Sequence, residues 1–240
     1  GYRTLISGKW HQVPLPTTRG FDRYYGLADG CSNFFNPGTN ARPGEGLPGR
    51  KRKSLRRWAI EDKVIMGYTS PDKKFYHTDA FTDYAIDRLD EYKDEDKPFV
   101  LYLPYTAPHY PLHAWPEDIA KYKGVYDGGY ESVRQARYQR QIKLGLIDPK
   151  TSPLPPMEFG RKSQKKWDDL PSDERRQEAM RMEIYAAMVD RVDQKVGDVI
   201  SQLQTMGVYD DTLILFCSDN GASKEYNEVI ANVNNTNDVL

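Results

Sequence analysis

The sequence predicts an α/β domain with a parallel sheet, and three observations predict it. Twice an amphipathic helical pattern is followed by a short apolar run, the alternation that builds parallel strands. A third apolar run opens the chain, in "YRTLIS". Each run ends abruptly in side chains capable of chemistry, and in open parallel sheets ligands bind outside the carboxyl ends of the strands.

The elements follow in order. "YRTLIS" is a short strand ending at Lys9 and His11. Residues 31–63, rich in Gly, Pro, Arg and Lys, read as a loop. Within it "GRKRKSLRRW" reads first as a solvated basic stretch, and alternatively as a patch for sulfated or phosphorylated polymers with Trp58 available to stack on a ring. "TDAFTDYAIDRLDEYK" reads as a helix capped near Thr78, and after the acidic turn "DEDKP" a buried strand begins at "FVLYLP" and leads to His109. Residues 114–174 form a polar insertion over the strand ends, with one helix around "ESVRQARYQRQIKLG". Tyr185, Met188, Val189, Val192, Val196, Val199, Ile200 and Leu203 then recur at helical spacing until Gly207. After a turn, residues 213–217 form an apolar run suited to a strand buried on both faces, ending in Asp219 and Asn220.

Composition narrows the partners. The 34 basic and 35 acidic side chains leave a net charge of -1, so no global field draws the chain to nucleic acid or to an anionic membrane. A mean hydropathy of -0.77 and the absence of any run near the ~18 apolar residues of a membrane span make a spanning helix unexpected. The two cysteines, Cys31 and Cys217, have no metal-type spacing and leave the redox compartment open. No leader precedes Gly1 and the last residues complete no element, so the chain reads as cut from a longer one.

Among the histidines, His77 and His113 read as structural. His109 lies between Pro108 and Pro111, whose fixed φ limits the directions its imidazole can take, and this favours a functional role. Asp219 and Asn220 suit a turn equally well as they suit a hard cation, to which they would give one carboxylate and one amide oxygen. Asn234 opens an "NNT" sequon, which matters only in a eukaryotic secretory context.

Taken in order, "GYRTLISGKWH", "RGFDRYYG", "PFVLYLPYTAPHYPLHAW", "YKGVYDGGYESVRQARYQRQIKLGLI", "YAAMVDRVDQKVGDVISQL" and "TLILFCSDNGA" resemble successive blocks of the sulfatase family, in particular bacterial arylsulfatases. The resemblance implies a partial alkaline phosphatase-like α/β domain: a mixed, mostly parallel sheet sandwiched by helices. It also implies a sulfuric ester hydrolase acting on an aryl or carbohydrate sulfate, either a small molecule or a sulfated glycan, in the periplasm or outside the cell. Carried over by position, Lys9 helps hold the sulfate charge and the metal-bound nucleophile, and His11 assists the hydroxyl whose deprotonation releases sulfate. His109 serves the leaving group, and Asp219 and Asn220 ligate one Ca2+. The family nucleophile is a formylglycine made by a maturation enzyme from Cys or Ser in CxPxR or SxPxR. Neither motif occurs in these 240 residues, so the nucleophile is expected upstream and the chain alone is expected to be inactive. Two other readings stay open: a phosphoester or phosphonate hydrolase of the same superfamily, which a bare threonine at the nucleophile position would favour, and a non-catalytic module that grips sulfated glycans.

Overall fold

The computed structural model describes residues 1–38, 55–157 and 165–221. Its sheet comprises β1 Arg3–Ser7, β2 Arg23–Leu27, β3 Arg57–Ile60, β4 Lys63–Met66 and β5 Phe99–Tyr102. The strands lie in the order β4-β3-β2-β1-β5. β1 pairs parallel to β2 and β5, and β3 is antiparallel to its neighbours β2 and β4. The sheet is therefore mixed, with its parallel part formed by β2, β1 and β5.

Alternation along the strands sorts side chains to two faces. Leu5 packs with Leu89 and Leu203 on the helical face, where Ser7 Oγ also donates to the Phe81 carbonyl oxygen at 2.8 Å. Ile6 points the other way and packs with Tyr24 and Ala59 beneath Trp10, Leu15 and Phe21. The helical face is covered by α1 His77–Tyr92, which buries Thr78, Phe81, Thr82, Ala85 and Leu89 at three- and four-residue spacing. α1 begins one residue before the expected cap: Tyr76 holds the N-cap position with extended backbone, and Thr78 lies inside the first turn.

β3 corrects the reading of residues 31–63 as a loop. The basic residues before it hid the alternation: Trp58 and Ile60 pack towards Phe81, whereas Ala59 faces Ile6 and Tyr24. Trp58 is also corrected as a stacking platform. It is fully buried, with Tyr68 and Phe81 stacked on it and Tyr25 against it edge-on, so no face is left for a ligand. Residues 50–53 of the basic stretch and the Asn234 sequon lie outside the described residues.

The chain forms two compact units: Gly1–Trp115 together with residues 188 onward, and Pro116–Ala187. The second unit holds α2 Pro116–Ala120, α3 Gly129–Lys143 and the first half of α4 Ser172–Thr205. Its core is Trp167, Leu170 and Ala179 with Tyr126 and Tyr130 against them. Gly129, at φ +84, sits where any Cβ would run into the Trp167 ring. Glu183 is buried and bonded to Arg176 at 2.8 and 3.0 Å and to the Gly124 N–H at 2.9 Å. Burial, the largest influence, pushes this carboxyl up, but the two partners together hold it below its usual range.

In the first unit the rest of α4 lays Val199 and Leu203 against Leu5 and Leu89. Arg191 forks onto Asp79 at 2.7 Å to each oxygen, and Trp115 Nε1 donates to the same carboxylate at 3.1 Å. Tyr185 and Val189, which the helical period also selects, are exposed.

The expected buried strand at residues 213–217 is not formed. Leu213, Leu215 and Phe216 are 83%, 82% and 78% exposed, and no ladder pairs this segment among the described residues. An apolar run states a demand for burial, but a strand also needs partners for its N–H and C=O groups. The described sheet provides none beside it.

Candidate functional site

The carboxyl ends of β1, β2 and β5 lie together at one edge, and the backbone leaving β1 is stitched to both neighbours. Gly8 N–H donates to the Tyr25 carbonyl at 2.9 Å, Lys9 N–H to Pro104 at 2.8 Å and Trp10 N–H to Leu27 at 2.8 Å. This close approach requires glycine: at Gly8, with φ +146, a Cβ would strike the Pro104 carbonyl, and at Gly26 it would strike the Gly8 carbonyl. The sequence Ser-Gly-Lys-Trp-His thus delivers Lys9 and His11 to the edge along a fixed path.

His11 itself has φ 54, in the left-handed region where non-glycine residues are uncommon. Trp10 holds the bend through its Nε1–H bond to the Pro14 carbonyl at 2.8 Å. The His11 ring lies over Gly30, so closely that a Cβ there would be 2.7 Å from both Cε1 and Nε2. Partial burial lowers the His11 pKa, and the positive charge of Lys9 lowers it further. His109 and Arg57 act in the same direction and Asp29 opposes them, so all four lie within electrostatic reach of His11.

His109 follows β5 in a turn closed by its own N–H to the Thr106 carbonyl at 2.8 Å. Its Nδ1 is 2.6 Å from the Tyr110 carbonyl oxygen. A carbonyl only accepts, so Nδ1 carries a proton and Nε2 is the nitrogen that exchanges one. The expected residues Lys9, His11 and His109 are thus brought into one neighbourhood.

Two further residues at this edge were missed. Asp29 leaves β2, and Arg57 opens the antiparallel β3 at the same end. Asp29 accepts from Arg57 N–H at 2.7 Å and from Arg57 Nε at 2.8 Å, and this pair fixes the loop that carries Gly30. The strand-end rule that selected Lys9 and His109 also selects Asp29, once "DRYYGLAD" is read as a strand.

Asp219 and Asn220 are exposed beyond the apolar segment. Asn220 Nδ2 donates to the Gly221 carbonyl at 2.8 Å and Ser218 Oγ to the Asn220 carbonyl at 2.6 Å. Among the described residues neither side chain bonds to Lys9, His11 or His109. Oxygen donors suit Ca2+, but two fall short of the roughly six to eight it takes. No group of three or more His, Cys, Asp or Glu among the described residues is placed to hold a metal ion. These residues alone therefore do not make a calcium site. Cys31 and Cys217 are both free thiols.

The fold places the chain among α/β domains that present ligand-binding residues at the carboxyl edge of parallel strands. Residues 1–238 match the Sulfatase family model, and the chain belongs to the sulfatase family. It is 38% identical over 237 residues to an uncharacterised sulfatase of Schizosaccharomyces pombe, covering 96% of this chain and 40% of that protein. To an arylsulfatase of Klebsiella aerogenes it is 31% identical over 227 residues, covering 93% and 45%. The crystal structure of Ps i-CgsB is similar at a TM-score of 0.50 and 25% identity, covering 87% of this chain and 35% of the other. The chain thus spans less than half the length of the relatives it matches. No helix among the described residues is long and apolar enough to cross a membrane.

Proposed function

We propose that the protein containing these residues is a sulfuric ester hydrolase that releases sulfate from an aryl or carbohydrate sulfate, acting in the periplasm or outside the cell. The observation that carries this reading is the gathering of Lys9, His11 and His109 at one sheet edge of a sulfatase-family chain. A sulfuryl group spreads negative charge over its oxygens, and the Lys9 ammonium attracts that charge. His11, held neutral near pH 7 by burial and by Lys9, can take a proton from a hydroxyl. His109, with Nδ1–H tied to the Tyr110 carbonyl, can present a protonated Nε2 to the departing alcohol.

Asp219 and Asn220 would supply two donors to a Ca2+ completed by residues elsewhere in the protein. The ion would supply positive charge to the reacting group. The nucleophile would be a formylglycine upstream of Gly1, installed by a maturation enzyme. Assay of the complete, matured protein on 4-nitrophenyl sulfate and 4-nitrophenyl phosphate tests the proposal. Sulfate ester turnover well above phosphate ester turnover supports it, whereas the reverse preference, or no turnover of either, contradicts it.

A further inference from the structure

We infer that His77 is a positioning residue: its buried imidazole fastens the loop that seats His11 to the loop that carries His109. This rests on the proposed roles of those two histidines. His77 is fully buried as the first residue of α1. Its Nε2 lies 3.2 Å from Ser32 Oγ and its Nδ1 3.2 Å from Thr106 Oγ1. Ser32 is two residues beyond Gly30, on which the His11 ring rests. Thr106 gives its carbonyl to the His109 N–H at 2.8 Å. One ring thus touches both loops through its opposite nitrogens.

The chemistry suits a permanent fastener. A neutral imidazole has one N–H and one lone pair, while a hydroxyl can give or receive. Ser32 and Thr106 therefore satisfy the ring in either tautomer, with no charge to bury. Phe34, Trp58, Phe75 and Phe81 surround it with ring centroids 4.9 to 5.8 Å away. Burial among them lowers the pKa to about 3, so the link does not open near neutral pH. The His77 N–H also donates to the Phe34 carbonyl at 3.0 Å, pinning the same loop a second time. Any buried imidazole needs partners for both nitrogens; what sets this one apart is that its partners belong to two different loops. This one stands between the two segments whose relative placement sets the distance from His11 to His109.

The test uses the complete protein and four variants: His77→Phe, which keeps an aromatic ring; Ser32→Ala and Thr106→Val, which each cut one link; and Thr106→Ser, which keeps the hydroxyl. Turnover of 4-nitrophenyl sulfate is measured alongside backbone amide exchange. The three disruptive variants should lower kcat by about tenfold to a hundredfold with little change in KM. Amides of residues 28–36 and 104–110 should exchange at least about fivefold faster, while those of β1, β2 and β5 stay protected. Thr106→Ser should recover most of both properties. Unchanged exchange in the two loops would overturn the inference, as would acceleration throughout the sheet to the same degree. Exchange needs no catalysis, so it decides the point even if the wild type proves not to be a sulfatase.

Discussion

Lowering the pH from 6.5 to 4.5 should cost the wild-type protein stability that a His77→Phe variant does not lose. His77 titrates near 6.5 when unfolded and near 3 when folded. Between these values the unfolded chain binds a proton that the native state refuses. Its contribution to stability is therefore complete above 6.5 and falls as the pH drops towards 3. Over the two units from 6.5 to 4.5 the loss comes to about 2 kcal/mol. Phenylalanine strands the Ser32 and Thr106 hydroxyls in the core at about 1–3 kcal/mol each, so at pH 7.5 the variant should be the less stable protein. The gap should then shrink by about 2.5 kcal/mol on going from pH 7.5 to pH 4.5. His11 also has a lowered pKa, Asp22 and Glu183 are held low by their partners and Asp83 is raised by burial, but all four are common to both proteins and cancel in the difference. Urea denaturation at four pH values between 7.5 and 4.5 measures it. Parallel stability curves with a constant gap would show that His77 is not held neutral by burial, and the argument from its cage would fail.

Gly30→Ala should lower kcat by about tenfold or more, because the new methyl group occupies the space of the His11 ring; circular dichroism and steady-state kinetics check that activity falls without loss of fold. Asp219→Ala should reduce both the calcium content found by elemental analysis and the turnover of the complete protein, and unchanged values would remove Asp219 from the site. Asp79→Ala leaves the mostly buried Arg191 guanidinium without its forked partner and should destabilise by about 3 kcal/mol in urea titrations. A change below about 0.5 kcal/mol would show that α4 does not depend on this pair.

The helices α1, α3 and α4 and the strands β1 and β5 were legible because their signal is local, whereas β2 and the short α2 were not read from the sequence. Phe81, Ala85 and Leu89 repeat at the helical period, and Leu5 and Ile6 alternate as a strand requires. The candidate residues were legible where a strand end delivers a polar side chain to the edge, as at Lys9, His11 and His109. What escaped was set by distant partners. β3 exists because β2 accepts it, and the basic residues beside Trp58 gave no sign of that pairing. Residues 213–217 show the converse, a strand-like pattern with no partner in the described sheet. His77 looked like an ordinary core histidine because its two hydroxyl partners lie 45 and 29 residues away. Asp29 was within reach of the rule already in use, since β2 ends just before it.

The central claim, that this sheet edge performs sulfate ester hydrolysis, is tested most directly by replacing Lys9, His11 and His109 with alanine, one at a time, in the complete protein and measuring sulfate release from 4-nitrophenyl sulfate. Each replacement should lower kcat/KM by at least about a hundredfold while circular dichroism stays unchanged. If the wild type turns over and all three variants stay within threefold of it, the chemistry lies elsewhere and the assignment of this edge as the active site is wrong.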